Sequence, residues 1–129
     1  MLKRFLKSEA ILDPDNDRFV NAIHRDDAAI AIQLLSARSE SAGQVYNVID
    51  NEPILQSECY RWLAAKLNRS LPPVGRPVLS GVEGKRKRGD SNKRVTNAKL
   101  RALGWTPRYP NFASGMENSV LPSFARELA

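Results

Sequence analysis

Arg18-Phe19-Val20-Asn21-Ala22-Ile23-His24-Arg25-Asp26-Asp27-Ala28-Ala29 is a short β-prone run that meets a charged step and continues into helix-forming residues. Its first seven residues are rich in β-branched and aromatic side chains, which predicts a strand over 18–24. Asp26 or Asp27 is suited to accept backbone N–H groups at a helix start, and their carboxylates favour the positive end of the helix dipole. Ala28, Ala31, Ile32 and Leu35 then recur at i, i+3, i+4 and i+7, predicting a helix that buries this stripe and stops near the polar stretch 39–43. Gln44-Val45-Tyr46-Asn47-Val48-Ile49-Asp50 is the strongest strand pattern in the chain, closed by Asn51-Glu52-Pro53. The order predicts a strand-helix-strand unit.

Towards the N-terminus, Leu2, Phe5 and Leu6 share one side of one or two helical turns, and Asp13-Pro14-Asp15-Asn16-Asp17 is a turn. Towards the C-terminus, Leu55, Cys59, Trp62, Leu63 and Leu67 share one face of a helix over about 55–68, so Cys59 is a core thiol. Residues 69–92 hold three prolines and four glycines without periodicity, which predicts a mobile basic loop at about 72–92, in which Val78-Leu79 is the one candidate for an edge strand. Asn97 caps the next short helix, with Thr96 as the alternative; Leu100 and Leu103 pack it, and Gly104 ends it in the left-handed conformation. A last helix carries Phe112, Met116 and Val120 and breaks or restarts at Pro122. The expected organisation is an N-terminal helical turn and loop over 1–17 and a single α/β domain over 18–129, with a few short strands and about four helices.

A chain of 129 residues has room for one modest core, and 42% hydrophobic with 26% charged residues is the composition of a soluble globular protein. No apolar run reaches the length that spans a bilayer, and the start lacks the pattern of a secretory signal, so a cytoplasmic protein without membrane contact is expected. Cys59 is the sole cysteine and His24 the sole histidine, which excludes an internal disulfide and a cysteine-built metal cluster; no metal site is expected. Residues 85–101 hold eight basic residues and one acidic, so this short stretch carries +7 and the remainder −1 of the net +6. Lys85-Arg86-Lys87-Arg88 has no interleaved aromatic for base stacking and no nucleic-acid motif around it. It reads as a solvated loop, and nucleic acid is not an expected partner.

Three segments together resemble the extended short-chain dehydrogenases/reductases, the NAD(P)-dependent epimerase/dehydratase family. Residues 18–29 are similar to its I-H-x-D-D-x-A step, Gly43-Gln44-Val45-Tyr46-Asn47-Val48 to its G-x-x-Y-N-V strand, and residues 97–107 to its S-K-x-x-x-x-L-G-W-x-P helix. The resemblance maps onto the C-terminal, substrate-binding part of such enzymes. Neither a glycine-rich dinucleotide turn nor a Tyr-x-x-x-Lys pair is present, so no catalytic residue is expected and the chain is expected to be only part of such an enzyme. Val20 stands where many members have arginine, and Val95 where the family has an acidic residue, a pattern closer to an epimerase-like branch than to a defined sugar epimerase.

The resemblance implies a lobe that closes over a nucleotide-sugar-like substrate. Arg18, Asn21, His24, Asn47, Lys93 and Arg94 are its expected substrate contacts, and Asp26, Asp27, Asn97 and Gly104 its structural caps. His24 has a second reading as a ring that fixes the strand-helix corner, and Asn47 as a bond to a neighbouring loop. The complete family protein uses NAD or NADP, but this chain alone is expected to bind neither. Its apolar surface is expected to meet a second copy or a separate cofactor-binding chain. The alternative reading is a small interaction protein whose basic loop binds an acidic partner or nucleic acid.

Overall fold

A computed structural model describes residues 1–75 and 92–127. The block Lys85-Arg86-Lys87-Arg88, the Val78-Leu79 pair and most of the basic loop expected at 72–92 lie outside the described residues. The chain is a small mixed α/β protein built as two compact units, Met1–Val20 with Ile54–Lys93 and Asn21–Pro53 with Arg94–Ala129.

In the first unit, α1 (Leu2–Leu6) is the helical turn expected from its apolar spacing, and it buries Leu2 and Phe5. The next helix of this unit, α3 (Gln56–Leu67), buries Cys59, Tyr60, Leu63 and Ala64, and the Phe5 and Tyr60 rings stack at 6.1 Å. Its first turn takes a cap from a distant segment: Asp17 accepts from the Ser57 backbone at 3.0 Å and from the Ser57 hydroxyl at 2.6 Å. Glu58 reaches back to the Leu55 N–H at 3.2 Å, and Asn68 closes the helix at φ 49°. The strand expected over 18–24 is reduced to β1 (Phe19–Val20), paired antiparallel with β2 (Ile54–Leu55) in the register Phe19 to Leu55 and Val20 to Ile54.

The second unit departs most from the sequence pattern. Residues 44–50 form no strand. The alternation is present, since Tyr46 and Val48 pack inward and Val45 is 80% exposed, but a strand needs a ladder, and the contact with residues 21–24 is a bond from the Asp50 N–H to the Ala22 carbonyl at 2.7 Å. The predicted strand-helix-strand unit is therefore a helix between two extended segments. That helix, α2 (Arg25–Ser36), is present as expected, but its buried stripe is rotated. Ile32 is 66% exposed, while Asp27 and Ala31 are buried and Leu34 and Leu35 half-buried.

Asp27 sets that rotation. Its carboxylate, fully buried, accepts the backbone N–H of Arg108 at 2.7 Å and of Tyr109 at 2.9 Å, while the indole N–H of Trp105 donates to its carbonyl at 3.3 Å. A charged acceptor taken out of water needs such donors. With Asp27 turned inward, Ala31 and Leu34 follow on the same face, and Ala31, Leu100 and Trp105 form the core, with Ile23, Leu35, Tyr46 and Val48 packed against it.

α4 (Ala98–Arg101) is the short helix expected after residue 96, and Gly104 beyond it has φ +90°, the conformation it was expected to take. The last helix opens as α5 (Phe112–Gly115), capped by the Asn111 side chain on the Ser114 N–H at 2.9 Å. It does not break at Pro122. It widens into a π-helical stretch (Met116–Val120) and runs on as α6 (Leu121–Glu127), the wider turn accommodating a residue without an N–H. Among the described residues no helix is long and apolar enough to cross a membrane.

Removing the Asp27 acceptor leaves two backbone donors without partners. Asp27→Ala is expected to lower the unfolding free energy by about 3 kcal/mol and Asp27→Asn, which keeps one acceptor oxygen, by roughly half as much, read from urea unfolding.

Candidate functional site

The residues expected to contact substrate divide between the two units. Arg18 and Lys93 belong to the first, where the Arg18 carbonyl accepts from Gln56 at 2.8 Å and its guanidinium donates to Asn16 at 2.9 Å. Asn21, His24, Asn47 and Arg94 belong to the second, and there the structure does bring sequence-distant groups together.

Residues 94–97 are tied down by three asparagines. The Asn21 side chain accepts from the Val95 N–H at 2.9 Å, and Asn47 donates to the Thr96 carbonyl at 3.4 Å. Asn97 holds the N-cap position expected of it, its carbonyl accepting from Leu100 and Arg101 at 3.0 Å, but its side chain does no capping: the buried amide donates to the Ile49 carbonyl at 3.0 Å, the Asp50 carbonyl at 3.1 Å and the Asn51 side chain at 2.9 Å. The hydroxyl of Thr96 accepts the Ala98 N–H in its place, at 3.2 Å. Between the two tied segments lies a cavity of about 300 Å³ lined by Asp50, Asn51, Pro53, Arg94, Val95, Thr96 and Asn97.

Asp50 also borders a second, smaller chamber of about 80 Å³ walled by Ile23, His24, Tyr109, Phe112 and Met116. The cap role expected of Asp26 or Asp27 belongs to His24, whose Nδ1 accepts the Asp26 N–H at 3.2 Å. This bond needs a lone pair on Nδ1, so the neutral ring carries its proton on Nε2, which donates to the Ser119 hydroxyl at 2.9 Å. The Tyr109 ring lies against the imidazole, centroids 4.1 Å apart.

Ser119, His24 and Asp26 have the outline of a hydrolytic triad, with the Asp26 carboxylate 3.8 Å from Nδ1. The protons are in the wrong places for that chemistry. A triad needs a lone pair on Nε2 facing the serine and an N–H on Nδ1 facing the carboxylate, and the helix cap imposes the reverse. His24 here is a structural ring that fixes the corner between residues 21–23 and α2.

Asp50 is the group that sequence reading left out. It is 3% exposed, and burial pushes its carboxyl from the ordinary 3.8 up to about 6, against the Glu52 N–H that donates to it at 3.0 Å and so favours the charged form, while the nearby Glu52 charge adds to the rise. Its parity with Tyr46 and Val48 along an extended run was the available signal, since all three positions face the same side. A carboxyl that changes charge near neutrality, with a cation in the wall of the same cavity, suits recognition of a polar ligand that carries both a hydroxyl and an anionic group.

Among the described residues no group of His, Cys, Asp or Glu is arranged to hold a metal ion. No protein-family model, curated protein or solved structure matches this chain.

The folded Asp50 carboxyl keeps its proton up to about pH 6, and the unfolded one releases it near 3.8. Asp50 therefore contributes stability that is complete below the unfolded value and is lost as pH rises through about 6. Asp50→Asn keeps an acceptor for the Glu52 N–H and cannot ionise. Its melting temperature is expected to match that of the unsubstituted chain at pH 4 and to exceed it at pH 7 by at least about 3 °C, measured by thermal denaturation across that range.

Proposed function

We propose that this chain acts as the substrate-binding C-terminal lobe of an NAD(P)-dependent epimerase/dehydratase-like protein, holding a nucleotide-sugar-like ligand and performing no hydride transfer by itself. The observation that carries this reading is that the three segments bearing the resemblance are joined by direct hydrogen bonds inside one unit. Asp27 of the first holds residues 108 and 109, just past the third, and accepts from Trp105 within it; Lys99 of the third donates to the Gln44 side chain and the Val45 carbonyl of the second, and Asn47 of the second holds Thr96 just ahead of the third.

Within this reading Arg94 supplies the cation for a pyrophosphate, and Asp50, with the polar groups of residues 94–97, meets sugar hydroxyls in the 300 Å³ cavity. Asn21 and Asn47 act at one remove, by fixing the segment that carries Arg94. Within the same reading the cofactor is held elsewhere. Among the described residues Gly43, Gly75, Gly104 and Gly115 stand singly, and none opens a helix directly after a strand, in keeping with a cofactor carried by a partner domain.

Titration of the ¹⁵N-labelled chain with UDP-glucose is expected to shift the amide signals of residues 50–51 and 94–97, while NAD⁺ at the same concentration leaves them in place. Arg94→Ala is expected to weaken the UDP-glucose response about tenfold, the loss of one charge-assisted phosphate contact. Absence of any shift at millimolar UDP-glucose, or an equal response to NAD⁺, would overturn the reading.

A further inference from the structure

The chamber of about 80 Å³ beside His24 plays no part in holding a nucleotide-sugar-like ligand. Its wall is apolar and aromatic, with Ile23, Tyr109, Phe112 and Met116 around the His24 ring, and it contains one acid, Asp50. Asp50 gives one oxygen to the Glu52 N–H at 3.0 Å, and its second oxygen bonds to no described residue. Among the described residues, Ser41 Oγ is the side-chain atom that is both unbonded and shut off from open space. The second Asp50 oxygen therefore meets open space, and in a residue only 3% exposed that space is a cavity whose wall Asp50 forms. A buried carboxylate oxygen in that position calls for a donor.

A cation is the donor that suits it. At pH 7.5 a carboxyl that titrates at about 6 is ionised, and the charge beside it, Glu52, has the same sign. Among the described residues no Lys or Arg stands in the chamber wall: Arg94 belongs to the larger cavity, and Arg108 lies over the Tyr109 ring at 5.6 Å without entering the wall. His24 has no proton to spare, because Nδ1 accepts from the Asp26 N–H and Nε2 donates to Ser119. The rest of the wall is matched by a short hydrocarbon, and the chamber has the liquid volume of roughly three water-sized groups.

We propose that this chamber binds a small primary alkylammonium ion, the ammonium hydrogen-bonded to the free oxygen of Asp50 and a chain of one or two carbons packed against Ile23, Phe112 and Met116. The charge-assisted bond fixes the head, and burial of the carbons adds to it. Asp50 borders both cavities, so an ammonium here also holds its carboxyl ionised. Binding in the chamber requires neither a nucleotide sugar nor a cofactor-binding domain.

The chain has two methionines, Met116 in the chamber wall and Met1 in the other unit, so ¹³C-methyl labelling of methionine supplies a reporter and an internal control. The full chain is titrated at pH 7.5 with ethylammonium chloride, which replaces sodium chloride at constant ionic strength. The expected result is a saturable shift of the Met116 methyl signal with half-saturation between about 1 and 10 mM, near the ceiling for a ligand of three heavy atoms, while Met1 stays in place. Ethanol, neutral and of the same length, is expected to bind at least tenfold more weakly. Asp50→Asn keeps an acceptor for the Glu52 N–H, removes the charge and is expected to weaken the ethylammonium response at least tenfold. Gly115→Ala tests the space. Its methyl would lie 3.8 Å from Tyr109 Cβ and 3.9 Å from His24 Cδ2, an ordinary contact that keeps the fold and narrows the chamber, and at least threefold weaker binding is expected. No saturable shift of Met116, an equal shift of Met1, an equal response to ethanol, or an undiminished response in either variant would overturn the proposal. The ethanol comparison needs no substitution and decides alone if a variant fails to fold. Met116 reports on this chamber and residues 94–97 on the larger cavity, so either assignment can fail without the other.

Discussion

The Asp27 carboxylate is the fixed point of the larger unit. It lies in the first turn of α2, fully buried, and takes two backbone N–H groups from a segment about eighty residues further along the chain. Each bond is of the charge-assisted kind, and at a fully buried position both must be made together or the buried charge is left short of donors. Everything around it follows. The helix is turned so that Ala31 meets Leu100 and Trp105, and the Tyr109 ring is set beside His24.

That constraint also explains why the apolar face of α2 is not the one that hydrophobic spacing suggests. Counting apolar residues places Ile32 inward, because Ile is the larger hydrophobe, but the energetic demand of one buried carboxylate outweighs the burial of one isoleucine, worth about 1.5–3 kcal/mol. Ile32 is left on the surface. The outward isoleucine, in the wall of the open groove at Tyr46, is thus a consequence of a single polar choice made inside.

Local pattern was enough for the helices, because their bonds close within the segment. α1, α2 and α3 fall where periodicity puts them, the turn at Gly104 needs a left-handed residue and has a glycine, and Cys59 is buried as its helical face requires. Residues 44–50 were misread because a strand is a property of two segments, and no spacing within one of them shows whether a partner lies alongside. The polar roles were hidden for a related reason. Asn97 and His24 have side chains equally able to cap a helix or to bond elsewhere, and only the placement of Ile49, Asp50 and Asp26 decides which. The cavity beside Arg94 was legible as a cationic segment, but the buried carboxyl in its wall was not, since its parity along an extended run gains meaning only once the inward side is known.

The π-helical stretch at Met116–Val120 bears on how the C-terminal helix is aimed. A π turn is one residue longer than the α turn it replaces, so the C-terminal helix holds a surplus residue, and the helix on either side is otherwise regular. Such a surplus can be carried without breaking a helix. Here it falls just ahead of Pro122 and includes Ser119, the partner of the His24 ring. A lineage that lost this residue would recover an uninterrupted α-helix, but every side chain beyond the deletion would turn by about 100° relative to those before it. Length in this helix is therefore a variable that re-aims one face of it against the His24 corner, and relatives of different length here would be expected to present different side chains to the same chamber.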